Sequence, residues 1–196
     1  MVTANDKKVD VALGNFLTVA KSGVKKAAQA LRTMSASAVR LEVISAGMAP
    51  TSRLSEVAGN PEDLVVGVYI GVHGEMPGHA LLLFPYDSAM LLVDMITGKP
   101  LGSTKHVDEM EESVIQEIGN IVTASYLNAL SDYYRCQLLP SPPSLAIDMA
   151  AAVVDSVLLN TGRFEEDTIS VVTKFAGTTR SLRGFFMYIP EVLATL

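Results

Sequence analysis

The 196-residue chain carries 15 Lys and Arg against 21 Asp and Glu, a net charge of −6, which excludes a nucleic-acid binder because phosphate neutralisation needs a basic surface. Cys136 is the single cysteine, so no internal disulfide forms and a reducing compartment is indicated. Apolar residues make up 49% of the chain and mean hydropathy is +0.32, which promises a large core and leaves apolar surface for a partner or a homodimer.

The start of the chain, residues 1–8, has no apolar h-region and reads as no secretory signal. Helical spacing of Val11, Leu13, Leu17, Val24, Ala27, Ala28 and Leu31 predicts a helix over residues 9–34. The alternation Val39-Arg-Leu-Glu-Val43 predicts a half-buried strand, broken by the Met48-Ala-Pro-Thr51 segment because proline cannot donate to a ladder. Asp63 to Val72 and His79 to Phe84 are β-rich runs separated by a Gly- and Pro-containing loop, the pattern of a hairpin. A helix follows over Ser88 to Thr97, stopped by Gly98-Lys-Pro100.

The order then repeats. Residues 108–134 make a long amphipathic helix, with Asp108, Glu109, Glu111 and Glu112 in the first turns complementing the helix dipole as a solvated face. Cys136 to Leu139 reads as a short strand broken by Pro140-Ser-Pro-Pro143, and Leu145 to Leu159 as a helix. Asp148 and Asp155 interrupt that most apolar stretch, which is too short and too charged to cross a bilayer. Thr168 to Ala176 and Leu182 to Ile189 form a second hairpin, and Pro190 opens the terminal segment. Ala28-Gln-Ala-Leu31 is answered 99 positions later by Leu127-Asn-Ala-Leu130. Asp63 and Pro85 bracket the first hairpin as Asp167 and Pro190 bracket the second. The expected fold is one α/β layered domain over residues 1–196. It consists of two halves, about 9–100 and about 104–196, related by a pseudo-two-fold, with helices on a mostly antiparallel six-stranded sheet.

The informative segment is Glu112-Ser-Val-Ile-Gln-Glu-Ile-Gly-Asn-Ile121. Ser113, Glu117 and Asn120 fall at i, i+4 and i+7, along one side of a helix, while Val114, Ile115, Ile118, Ile121 and Val122 form its apolar stripe. A carboxylate and an amide at i, i+3 can reach one small target together. Gly119, which costs about 1 kcal/mol against alanine in a helix, implies close approach by another backbone, such as the helix of the other half. His73, His79 and His106 show no metal-ligand spacing with Cys136 or with each other, so each is an exposed or packed histidine. Gly67, Gly71, Gly74 and Gly78 are scattered through a hairpin and make no phosphate loop. Cys136, among Tyr133, Tyr134 and Leu138, has the surroundings of a small buried hydrophobe.

The pattern Ser113, three residues, Glu117, two residues, Asn120, twenty-two residues, Pro143 resembles the active-site motif of the CheC/CheX/FliY family of CheY-phosphate phosphatases. The strings Glu117-Ile-Gly-Asn-Ile121 and Asp63-Leu-Val-Val-Gly-Val68 are similar to the same family, and the likeness runs from about Val11 to Ile189. The resemblance implies a cytoplasmic phosphatase acting on the aspartyl phosphate of a CheY-like response regulator. Asn120 would orient the attacking water, Glu117 would pair with the regulator's lysine, and Ser113 and Pro143 would support them. It implies no metal or cofactor on this chain, the Mg²⁺ being the regulator's own. Some family members also bind a CheD-type deamidase, for which this sequence offers no recognisable motif. The same resemblance admits two other roles: an adaptor that captures the phosphorylated regulator without hydrolysing it, or a scaffold for CheD. Some members carry the motif in both halves; here the 99-residue offset places Gly14, Thr18 and Lys21 opposite Ser113, Glu117 and Asn120. That leaves no working pair, and Lys21 would oppose a partner's lysine. A single site in the second half is expected.

Overall fold

The structure, a computed structural model, describes residues 4–34, 40–50, 60–161, 167–176 and 182–191. Among these described residues four helices and seven strands follow one another: α1 (Ala4–Met34), β1 (Arg40–Pro50), β2 (Leu64–Gly74), β3 (Gly78–Pro85), α2 (Tyr86–Thr97), α3 (Glu109–Tyr134), β4 (Leu138–Pro140), β5 (Ser144–Met149), α4 (Ala150–Thr161), β6 (Asp167–Ala176) and β7 (Arg183–Pro190). The side chains of Val11 and Leu13, placed in the first helix's apolar stripe, lie outside the described residues, as do Val39 at the head of the first predicted strand and residues 192–196 of the terminal segment.

The strands form one antiparallel sheet in the order β1-β6-β7-β3-β2-β4, with β5 also paired to β2. β4 takes residues 72–74 of β2 and β5 takes residues 64–69. The two short strands therefore lie end to end, and the sheet is six positions wide. Its order is the same read from either edge: a strand that follows a long helix, then the two strands of a hairpin. An approximate two-fold through the central β3–β7 ladder, where Leu82 faces Phe186, produces that order.

The run Val65-Val-Gly-Val-Tyr-Ile70 in β2 is apolar at nearly every position because both faces of the sheet are covered. On one face α1, α2 and α3 pack over Val66, Val68, Ile70, Leu82, Phe84, Phe186 and Tyr188. On the other, Val153, Val154, Val157 and Leu158 of α4 cover Val65, Leu81, Leu83 and Met187.

Three elements differ from the sequence expectation. Residues 145–149 are not helical: they extend as β5, because β2 offers an unpaired edge and the Leu145, Ile147, Met149 alternation suits it, so the helix starts only at Ala150. Pro50 does not break the first strand, which runs from Arg40 through Pro50, paired to Asp167 of β6. Among the described residues β1 pairs with β6 alone, and an edge strand tolerates a residue without an N–H. The short strand before the proline cluster spans Leu138–Pro140 rather than starting at Cys136, since the chain leaves α3 through Arg135 in the left-handed region at φ 53°.

Candidate functional site

α3 begins after Asp108, in extended conformation, with Glu109, Glu111 and Glu112 in its first turn, where negative charge suits the helix N-terminus. Ile115, Ile118, Val122, Tyr126 and Leu130 are buried and seat the helix on the sheet. Tyr126 meets Phe186 and Tyr188 with ring centroids 5.4 Å and 5.2 Å apart, anchoring the helix over the central strands.

Seating that face leaves the opposite one outward. At about 100° per residue, Ser113, Glu117 and Asn120 fall within an arc of about 60°, turned away from the buried stripe. Ser113 and Glu117 are exposed and Asn120 is half-buried. Among the described residues no hydrogen bond or ion pair engages any of the three side chains, so a carboxylate and an amide one turn apart stand free to meet an external group. Pro143 is half-buried in the bend between β4 and β5, strands that both touch α3. That bend is pinned to β2: Ser141 N–H donates to the Gly71 carbonyl at 2.8 Å, and Gly71 N–H donates to Ser141 Oγ at 2.9 Å.

Gly119 differs in its role from the expectation. A Cβ there would lie 2.8 Å from Val68 Cγ1, so the glycine lets α3 settle on the sheet, not on the other half's helix. The close helix–helix approach is made by Gly23 of α1, where a Cβ would meet Tyr126 Cα at 2.9 Å.

The acidic first turn also differs. Glu111 is buried, 7% exposed, and accepts a hydrogen bond from Lys99 Nζ at 3.0 Å, while Glu109 stays exposed. Lys99 belongs to the α2–α3 connector, which is also held by the fully buried Asp94. The Asp94 carboxylate accepts from Gly102 N–H at 2.6 Å, Ser103 N–H and Oγ at 3.0 Å each, and Thr104 N–H and Oγ1 at 3.1 and 2.6 Å. Burial disfavours its charge, but the donors from Thr104, Ser103 and Gly102 outweigh that and hold the carboxyl below its usual range. The sequence signal for this latch was a helix-terminal aspartate followed by the small polar run Gly102-Ser-Thr104; by pattern alone it resembles any polar loop.

On α1, Gly14, Thr18 and Lys21 are exposed, and the Thr18 hydroxyl donates to the Gly14 carbonyl at 2.9 Å. No carboxylate–amide pair stands there. Among the described residues no group of three His, Cys, Asp or Glu side chains is placed to hold a metal ion, and no helix is long and apolar enough to cross a membrane.

An antiparallel sheet under two long helices recurs in solved FliY and CheC-like structures, and the comparisons show what this chain is similar to. Residues 110–147, from the head of α3 to β5, match the model of the CheC-like family. The chain is 27% identical over 177 residues to the CheY-P phosphatase CheC of Bacillus subtilis, covering 88% of this chain and 85% of that protein. Its fold is similar to that of FliY of Thermotoga maritima, with a TM-score of 0.68 at 17% identity, over 96% of this chain and 91% of that one. It is also similar to the structure of a FliG–FliM complex from H. pylori, with a TM-score of 0.62 at 15% identity over 88% of each chain.

Proposed function

We propose that this protein is a cytoplasmic phosphatase that hydrolyses the aspartyl phosphate of a CheY-like response regulator, and that α3 is laid across the regulator's phosphorylated site. The observation that carries this reading is the free, outward Glu117–Asn120 pair on a chain resembling a named CheY-P phosphatase. In it Asn120 holds a water in line with phosphorus. The water oxygen attacks, the bond between phosphorus and the carboxyl oxygen breaks, and inorganic phosphate and the regulator's carboxylate leave. An amide has no useful basicity, so its contribution is orientation, which suffices for a phosphoryl group already polarised by a metal. That Mg²⁺ is the regulator's own, and this chain supplies none. Glu117 pairs with the regulator's lysine and fixes the docked geometry. Ser113 lines the stripe, and Pro143 stiffens the bend beside it.

The test is phosphate release from a phosphorylated CheY-type regulator in Mg²⁺. Asn120→Ala should lower kcat on the order of 10²-fold with binding retained, whereas Glu117→Ala should raise KM about tenfold and lower kcat as well. Thr18→Ala and Lys21→Ala, on α1, should leave turnover unchanged. Equal turnover by Asn120→Ala and the native protein refutes the mechanism.

The likeness to FliM, crystallised with FliG, supports a second reading, a binding module on the same fold. A non-hydrolysing binder has no use for the Asn120 amide, and tight binding without phosphate release would select that reading. A CheD-type partner finds no specific support on this chain.

A further inference from the structure

We infer that the partner is also held by an apolar flank beside the polar stripe, formed by Leu64, Ile147 and Met149 and continued by Met110 at the head of α3. This rests on the docking role proposed above and names the surface that serves it. Gly119 seats α3 on Val68 of β2, and β5 is the next strand outward. Val68 pairs with Leu145, Val66 with Ile147 and Leu64 with Met149. Directly paired residues share a face of the sheet, so Ile147 and Met149 project on the side where α3 lies. Leu145 is still partly covered by the core, but beyond it the cover ends: Ile147 is 40% exposed, Met149 49% and Leu64 50%. Met110, 53% exposed, stands three residues before Ser113 and seven before Glu117, on the same side of the helix.

The size of a protein footprint makes these side chains part of the contact. Residues 113–120 span about 10 Å of helix, whereas a stable protein contact covers about 800 Å² on each side, a disc about 32 Å across. A body centred on Glu117 and Asn120 therefore reaches at least one strand, about 5 Å, past β2 and lands on β5. The Glu117 pairing holds one point of the contact; exposed Met, Ile and Leu side chains beside it add to the affinity by being covered, and methionine adapts its shape to what covers it. The surface of the partner beside its phosphorylated aspartate is accordingly apolar.

The experiment compares the native protein, Met110→Ser, the Ile147→Ser/Met149→Ser double variant and Asn120→Ala. Binding to a beryllofluoride-loaded CheY-type regulator is measured by calorimetry, and phosphate release from the phosphorylated regulator is followed in parallel. All three replaced apolar side chains are exposed, and unchanged thermal midpoints verify the fold. The double variant should bind at least about tenfold more weakly and raise KM by the same factor with kcat within about twofold; Met110→Ser should shift both in the same direction by a smaller factor. Unchanged affinity in the double variant overturns the inference, even where the native protein hydrolyses normally. Equally, a concentration-dependent dimer in sedimentation that the double variant abolishes assigns the flank to a second copy and overturns it. A native protein that binds but releases no phosphate defeats the phosphatase reading alone, and the flank is then judged on the variants' affinities. A native protein that does not bind defeats both.

Discussion

Asn120 and Asp94 show how much the surroundings of a polar side chain decide its use. Asn120, half-buried on an outward helix face, keeps its amide uncommitted. Asp94 is a few turns away in sequence from α3 but wholly buried, and its two oxygens are consumed by five donors of residues 102–104. Replacing Asp94 by asparagine keeps the shape but sets an amide NH₂ against donors. It should cost about 2–4 kcal/mol, measured as a drop in the urea unfolding free energy. Because the latch sets the start of α3, the same variant should also raise KM for the proposed substrate. For Asn120 the informative change is to aspartate, which has the same shape and gains basicity. A general base would gain activity. An orienting amide replaced by an anion facing a phosphoryl group should instead lose turnover on the order of 10²-fold.

Elements here are positioned by missing side chains as much as by present ones. α3 touches the sheet through Gly119 and α1 through Gly23, and in each case a methyl group has no room. The obstacles differ. At Gly119 it is a Val68 methyl, which can shift slightly; at Gly23 it is the Tyr126 backbone, which moves only with the whole helix. Alanine gains about 1 kcal/mol of helix propensity at either place, against about 1–3 kcal/mol of overpacking. Gly119→Ala should therefore be destabilising by about 1 kcal/mol at most, and Val68→Ala should relieve it in a double-mutant cycle. Gly23→Ala should cost more and should not be rescued by truncating the Tyr126 ring. Chemical denaturation of these single and double variants checks this ordering.

At the scale of the molecule, the sheet carries two unlike faces: among the described residues, α1, α2 and α3 lie on the side of the candidate site and α4 on the other. His79 lies on the α4 side with 5% exposure, its Nδ1 2.9 Å from the Tyr69 hydroxyl and its Nε2 3.1 Å from a Glu191 carboxylate oxygen. Burial pushes its pKa down, Glu191 only partly opposes this, and nearby His73 adds to the depression. The unfolded chain thus takes up a proton that the folded chain resists. Stability from this group is present above about pH 6.5, the unfolded value, and is lost as pH falls below it toward the folded pKa. The urea midpoint should decline between about pH 7 and pH 5.5, and His79→Phe should flatten that decline.

Local pattern alone determined the two long helices, both hairpins, the doubling of the chain and the stripe of Ser113, Glu117 and Asn120. All of these depend on spacing within a few residues, where helical or strand period dictates which side chains share a side. What pattern did not contain was decided by neighbours distant in sequence. Residues 145–149 are as apolar as a helix needs, and only the free edge of β2 draws them into a strand. Helical spacing sets Glu111 on the side of Ile115 and Ile118 and Glu109 away from it, but the lysine that pairs with the buried carboxylate comes from the preceding connector, which spacing within α3 does not contain. Gly119 and Gly23 look alike as breaks in helix propensity, and only packing reveals that one admits a sheet and the other a helix. Periodicity assigns a side chain to a face; what that face meets is set by contacts whose partners lie tens of residues away, and those exist only once the chain has closed on itself.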